Sequence, residues 1–167
     1  MPVIGVAIAI PEPWAAELVA YRQRIGDPTA EGVPSHITLI PPTEAGDLAE
    51  IEHHLADAAG GVTPFRVHLR GTATFRPVSP VVFVSLAEGI SQCEQLAGAV
   101  RRGPLAVELQ YPYHPHVTIA HHLDDPTLDR AFEDLAGFEC VFDVDEFHLY
   151  VHDEQEGWRS RRTFPLR

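Results

Sequence analysis

The chain has 167 residues, with 24 Asp and Glu against 12 Lys and Arg, a net charge of −12 with its ten histidines neutral. That length suits one large domain with its own buried core, and the acidic balance disfavours tight binding along a polyanion such as long DNA or RNA. No apolar run approaches the ~20 residues of a membrane span, Val3 to Ile10 lacks the basic start of a signal peptide, and Cys93 and Cys140 form no close pair, so a cytoplasmic protein with two reduced, buried thiols and no disulfide or membrane contact is expected.

Val3 to Ile10 reads as a buried strand ended by Pro11. Pro13 then suits the first turn of a helix whose apolar face is Trp14, Leu18, Tyr21 and Ile25, stopped at Gly26-Asp27-Pro28. After a polar loop comes a strand beginning at His36 and closed by Pro41-Pro42. Asp47 with Glu50 forms a capping box, and Leu48, Ile51, Leu55 and Ala58 make the buried stripe of a helix ending at Gly60-Gly61. Phe65 to Leu69 and Thr72 to Phe75 read as two further strands. The second half repeats the order: a strand at Val81 to Leu86, a helix capped by Ser91 with Glu94 and striped by Cys93, Leu96, Ala97 and Val100, and a strand at His116. A short helix from Asp125-Pro126 with Leu128, Phe132 and Leu135 on one face follows, and then closing strands at Phe142 to Val151 and Arg161 to Pro165.

Within this frame two strings match, His36-Ile37-Thr38-Leu39 and His116-Val117-Thr118-Ile119. On a strand the histidine and threonine share one face and the apolar residues the other. One such string arises by chance in roughly one chain in ten of this composition, so a single copy means little. The two lie 80 residues apart, however, and the opening strands at Val3 and Val81 lie 78 apart, which marks a duplicated unit of strand, helix, histidine strand, helix and strand. Duplication of this kind builds two lobes about a pseudo-two-fold axis, and equivalent residues meet near that axis. The expected organisation is therefore a single bilobed body over 1–167, with halves of about 1–78 and 79–167 that can exchange strands.

Two imidazoles with an ordinary pKa near 6.5 can divide the roles of base and acid, and two threonine hydroxyls can donate to non-bridging phosphate oxygens. Cleavage of a cyclic or internal phosphodiester needs that set and requires no cofactor or metal. The paired motifs resemble those of the two-histidine (2H) phosphoesterase superfamily, whose bacterial members are often labelled 2′,5′-RNA ligase or cyclic phosphodiesterase. Phe75-Arg76-Pro77 leading into Val81 to Val84, and the run His114-Pro115-His116-Val117-Thr118, extend the similarity over most of the chain.

The resemblance implies an α+β fold of two pseudo-symmetric lobes of antiparallel sheet, with helices outside and a central cleft carrying both motifs. It also implies a catalytic set of His36, Thr38, His116 and Thr118. Many relatives carry an arginine five residues after the second motif histidine, where this chain has His121, which argues for small cyclic phosphates over RNA joining. Phe75, Tyr111 and Tyr113 are candidates to stack a base, and Phe75, Tyr113, His114 and His121 are candidate substrate contacts. The expected partner is a small cyclic-phosphate nucleotide or an RNA end, bound by a monomer. Two other readings compete: a non-catalytic nucleotide-binding module on the same fold, and a metal-dependent hydrolase using His114, His116, His121 and His122 with Asp124 or Asp125. Trp158 with Arg159, Arg161 and Arg162 forms a basic patch best read as strand-edge charge.

Overall fold

Strand β1 (Val3–Ala9) carries small residues on one face, Gly5, Ala7 and Ala9, and Ile4, Val6 and Ile8 on the other, where they are almost wholly buried. In the computed structural model, which describes every residue except Met1, Thr29, Glu31 and Val33, β1 is an inner strand of the first of two four-stranded antiparallel sheets. Its neighbours are β2 (His36–Glu44) and β7 (Glu146–Asp153), and β8 (Gly157–Pro165) forms the far edge. The second sheet has the order β5 (Val117–His121), β4 (Val81–Glu88), β3 (Phe65–Thr74) and β6 (Glu139–Val144). The two histidine strands, β2 and β5, are thus both edge strands, and they pack against each other where the sheets meet.

The lobes do not coincide with the sequence halves. β3 joins the second sheet, while β7 and β8 complete the first. Two helices, α1 and α3, cross over as well. α2 (Leu48–Ala59) packs on β7 and β8 and α3 (Ile90–Val100) on β2, whereas α1 (Trp14–Arg24) packs on β5 and α4 (Asp125–Asp134) on β3, β4 and β5. Ile51 and Leu55 of α2, Leu96 and Val100 of α3 and Leu128 of α4 are buried among strand residues such as Ile37, Leu39, Val84, Val117, Ile119, Phe147 and Leu149. Burying such an aliphatic or aromatic side chain contributes about 1.5–3 kcal/mol, so this shared core ties the lobes together. No helix among the described residues is long and apolar enough to cross a membrane, and both cysteines are free and buried.

Several local expectations are corrected. Pro41 and Pro42 do not close the first histidine strand, which runs on to Glu44; β2 is an edge strand, where a missing N–H is tolerated. Phe65 to Thr74 is one strand, with Gly71 at φ 74° absorbing a register shift. Helix α3 is capped by Gly89 at φ 99°, two residues before Ser91, without a side-chain cap. A Cβ at Gly89 would stand 2.8 Å from the Arg66 carbonyl oxygen, so close passage over β3 sets this start and requires glycine. In α4 the buried residues are Leu128 and Ala131; Phe132 is exposed. The cap at Asp47 is as expected, its carboxylate accepting from the backbone N–H groups of Ala49 and Glu50. The polar loop before His36 contains Thr29, Glu31 and Val33, which lie outside the described residues.

Candidate active site

The two motif strands adopt matching local structures. Residues 34–40 and 114–120 share one burial sequence, in which His36, Thr38, His116 and Thr118 are half-buried between buried neighbours. Each imidazole is fixed in the same way: Nδ1 lies 2.7 Å from the carbonyl oxygen two residues earlier, Pro34 for His36 and His114 for His116. A carbonyl oxygen only accepts, so Nδ1 carries the proton in both rings and Nε2 of each neutral ring is the acceptor. The strands are also tied to each other, for the Tyr113 hydroxyl donates to the Thr38 carbonyl oxygen at 2.6 Å.

Electrostatics favours neutral rings. Burial pushes the His36 pKa below its ordinary value and the Arg22 guanidinium adds to this, against the Pro34 hydrogen bond. Burial likewise lowers His116, to about 4, with His114 and His36 contributing and the bond to the His114 carbonyl opposing. His116 therefore feels the charge of His36. Arg22 is itself buried, its Nε 2.9 Å from Asp27.

The remaining residues singled out from sequence have distinct surroundings. Phe75 sits edge-on to His116 and His114, with ring centroids 4.9 and 5.2 Å away, and packs on Phe83 at 4.3 Å. It forms the wall behind His116. Tyr113 is held by Thr38, and the Arg101 guanidinium lies 5.8 Å from its ring centre. Tyr111 is exposed. His121 stacks on His122 at 3.6 Å, and burial together with the charges of His122 and Arg22 lowers its pKa, so a neutral ring is favoured at this position. Among the described residues no group of three His, Cys, Asp or Glu gathers in a way that could hold a metal ion, which leaves the four-histidine cluster without the arrangement that reading needs. Asp124 instead caps α4, accepting from the Thr127 N–H at 3.0 Å. Arg159 pairs with Glu156 and Arg161 with Glu52 at 3.4 Å, in keeping with strand-edge charge on β8.

One feature of the cleft has little warning in the sequence. A cavity of about 180 Å³ opens beside His36 and Thr38 over Gly5 and Ala7, and Tyr150 and Trp158 help to wall it. Its lining comes from four strands and the segment before β2, so no local pattern reveals it. The one available signal is the alternation of Gly5, Ala7 and Ala9 on β1.

Comparison with known proteins bears on this arrangement. A sequence profile of the 2′-5′ RNA ligase superfamily matches residues 10–156. The chain belongs to that superfamily. Its members with similar sequences include a Bacillus cytotoxicus protein named "Putative phosphoesterase", 32% identical over 144 residues, covering 84% of this chain and 83% of that one. A protein of the same description from Oceanobacillus iheyensis is 29% identical over 166 residues, covering 97% and 96%. Among solved structures, Escherichia coli LigT complexed with 3′-AMP has a TM-score of 0.67 at 22% identity over 99% of both chains. A Thermus thermophilus protein, TT0787, has a TM-score of 0.69 at 25% identity, over 100% of this chain and 98% of that one. The superfamily fold is thus the α+β arrangement of two curled antiparallel sheets seen here.

Proposed function

We propose that this superfamily member is a metal-independent phosphodiesterase that opens a cyclic phosphodiester, such as a 2′,3′-cyclic nucleotide or a cyclic phosphate at an RNA end, by two-histidine acid–base catalysis. The observation that carries this reading is the matched fixing of His36 and His116, each with its Nδ1 proton committed to a carbonyl and its Nε2 left for proton transfer. One Nε2 accepts the proton of the attacking water as its oxygen bonds to phosphorus. The other, protonated, gives its proton to the ribose oxygen as the P–O bond breaks. The product is a phosphate monoester, and the two rings have exchanged protonation states. Thr38 and Thr118 donate to the non-bridging oxygens, where negative charge accumulates. A bound phosphate also raises the imidazole pKa values toward the range in which one ring holds a proton, offsetting the burial that lowers them in the free protein. The structures of LigT complexed with 3′-AMP, phosphate, ATP and NADP+ support a small nucleotide ligand in this fold.

The test is turnover of 2′,3′-cyclic nucleotides in the presence of a chelator. His36→Ala and His116→Ala are each expected to lower kcat by about 10² to 10⁴. Full activity in either variant contradicts the reading. Binding of the same nucleotides without ring opening favours the non-catalytic module, and loss of activity in chelator favours a metal-dependent hydrolase.

A further inference from the structure

The open face of the first sheet carries a second group of polar side chains, two strands away from the His36 motif. The register runs Thr38, Ala7, His148 and Thr163 across β2, β1, β7 and β8, so His148 shares the face of Thr38 on the far side of Ala7. Its imidazole is approached from both ends. Nε2 lies 3.2 Å from a carboxylate oxygen of Glu146, two residues earlier on the same face. Nδ1 lies 3.2 Å from the Ser160 hydroxyl oxygen and 3.3 Å from that of Thr163. A carboxylate beside Nε2 favours the proton there and leaves Nδ1 as an acceptor, the reverse of the arrangement in His36 and His116.

Ser160 owes its place to an irregularity in β8. Thr163 pairs with His148, Arg162 with Leu149 and Ser160 with Tyr150, which leaves Arg161 as one extra residue. In a regular strand Arg161 would stand opposite Tyr150 on the open face. The bulge puts the serine hydroxyl there instead, next to His148, while Arg161 pairs with Glu52 of α2. Bulges re-aim side chains in this way, often beside active sites. The phosphodiester cleavage proposed above uses none of these groups, and core packing does not require them, since Ser160 and Thr163 are both exposed. A cavity of about 210 Å³ adjoins the cluster. His148 and Glu146 line it with the apolar Ile8, Ile10 and Phe142 and the acidic Asp143, so it suits a short apolar chain and disfavours an anionic one.

We infer that Ser160, His148 and Glu146 form a second catalytic site, a serine nucleophile with its base and orienting carboxylate, which hydrolyses neutral carboxylic esters with the short acyl chain in this cavity. A hydroxyl in reach of an imidazole whose other nitrogen faces a carboxylate is the arrangement that activates a serine. The Ser160 oxygen bonds to the ester carbonyl carbon as its proton passes to His148 Nδ1. The C–O bond to the alcohol then breaks, and Nδ1 gives that proton to the leaving oxygen. Water repeats the sequence on the acyl-serine: its proton goes to Nδ1, its oxygen bonds to the carbonyl carbon, and the Ser160 oxygen leaves with the proton, freeing the carboxylic acid. Nδ1 has one lone pair, so while Ser160 uses it the Thr163 hydroxyl is free to donate to the carbonyl oxygen as charge builds there.

The experiment measures kcat/KM for p-nitrophenyl acetate, read as the excess over the urea-unfolded chain, whose ten histidines supply the background. Ser160→Ala and His148→Gln are each expected to lower this excess by about 10²- to 10⁴-fold, and Glu146→Gln by a smaller factor, with folding of each variant checked by circular dichroism. A fluorophosphonate, which forms a P–O bond to an activated serine with loss of fluoride, tests the wild type without any substitution. Mass spectrometry is expected to find one adduct, at Ser160, and to find it formed at least 100-fold more slowly in His148→Gln. No adduct at Ser160 in the folded wild type, an equal rate of adduct formation in His148→Gln, or unchanged ester hydrolysis in Ser160→Ala overturns the site.

Discussion

The two lobes present the same motif on unequal ground. Thr38 stands beside Ala7, next to a cavity that Gly5, Tyr150 and Trp158 help to line; Thr118 stands beside Phe83, which packs with Phe75 and His114. Backbone symmetry is kept at the two motifs, where each imidazole is held by the carbonyl two residues earlier. Side-chain symmetry is broken on the neighbouring strands, with Ala7 opposite Thr38 and Phe83 opposite Thr118. A duplicated fold can thus separate a symmetric centre from an asymmetric approach by changing the size of one residue on the strand next to each motif.

The threonines probe the symmetric part. If the phosphate sits on the pseudo-two-fold axis, Thr38→Val and Thr118→Val each lower kcat by about 10²-fold or more, and by similar factors, because each removes one donor from the developing charge. Losses that differ more than tenfold place the phosphate off the axis and break the comparison.

Phe83→Ala probes the filled side. Truncating a phenylalanine buried to 3% exposure costs about 3–5 kcal/mol, read as a fall in the urea midpoint, because the ring packs among Phe75, His114 and His116. A cost below about 1 kcal/mol means that the second lobe has slack and that its closure is not a packing constraint.

The smallest effect is on pH dependence. The base must be neutral, so activity falls as pH drops through its pKa; the acid must be protonated, so activity falls as pH rises through its own. Burial lowers both rings in the free protein, His116 to about 4, and the optimum of kcat/KM is therefore expected below the ordinary histidine value of 6.5. An optimum above about pH 7 contradicts the burial of these rings as the controlling influence.

The motifs were legible in the sequence because a strand converts a four-residue string directly into a face, and the 80-residue offset paired them. Most helices were legible through their apolar stripes, as at Ile51 and Leu55 or Leu96 and Val100. Sheet membership was not, since β3 crosses to the second lobe and β7 and β8 return to the first through pairings between residues distant in sequence. Pro41-Pro42 read as a stop because only the tertiary fact of an edge position permits proline in a strand. Gly89 lost to Ser91 as the expected cap because the contact that demands glycine comes from Arg66, on another strand. Trp158 read as part of a charged edge because the face it covers belongs to β1, some 150 residues earlier.

The most direct measurement of the central claim is a crystal structure of the wild-type protein with 3′-AMP. One phosphate is expected within hydrogen-bonding distance of Nε2 of both His36 and His116 and of Oγ1 of both Thr38 and Thr118. A phosphate bound to only one motif, or held away from both imidazoles, would contradict it.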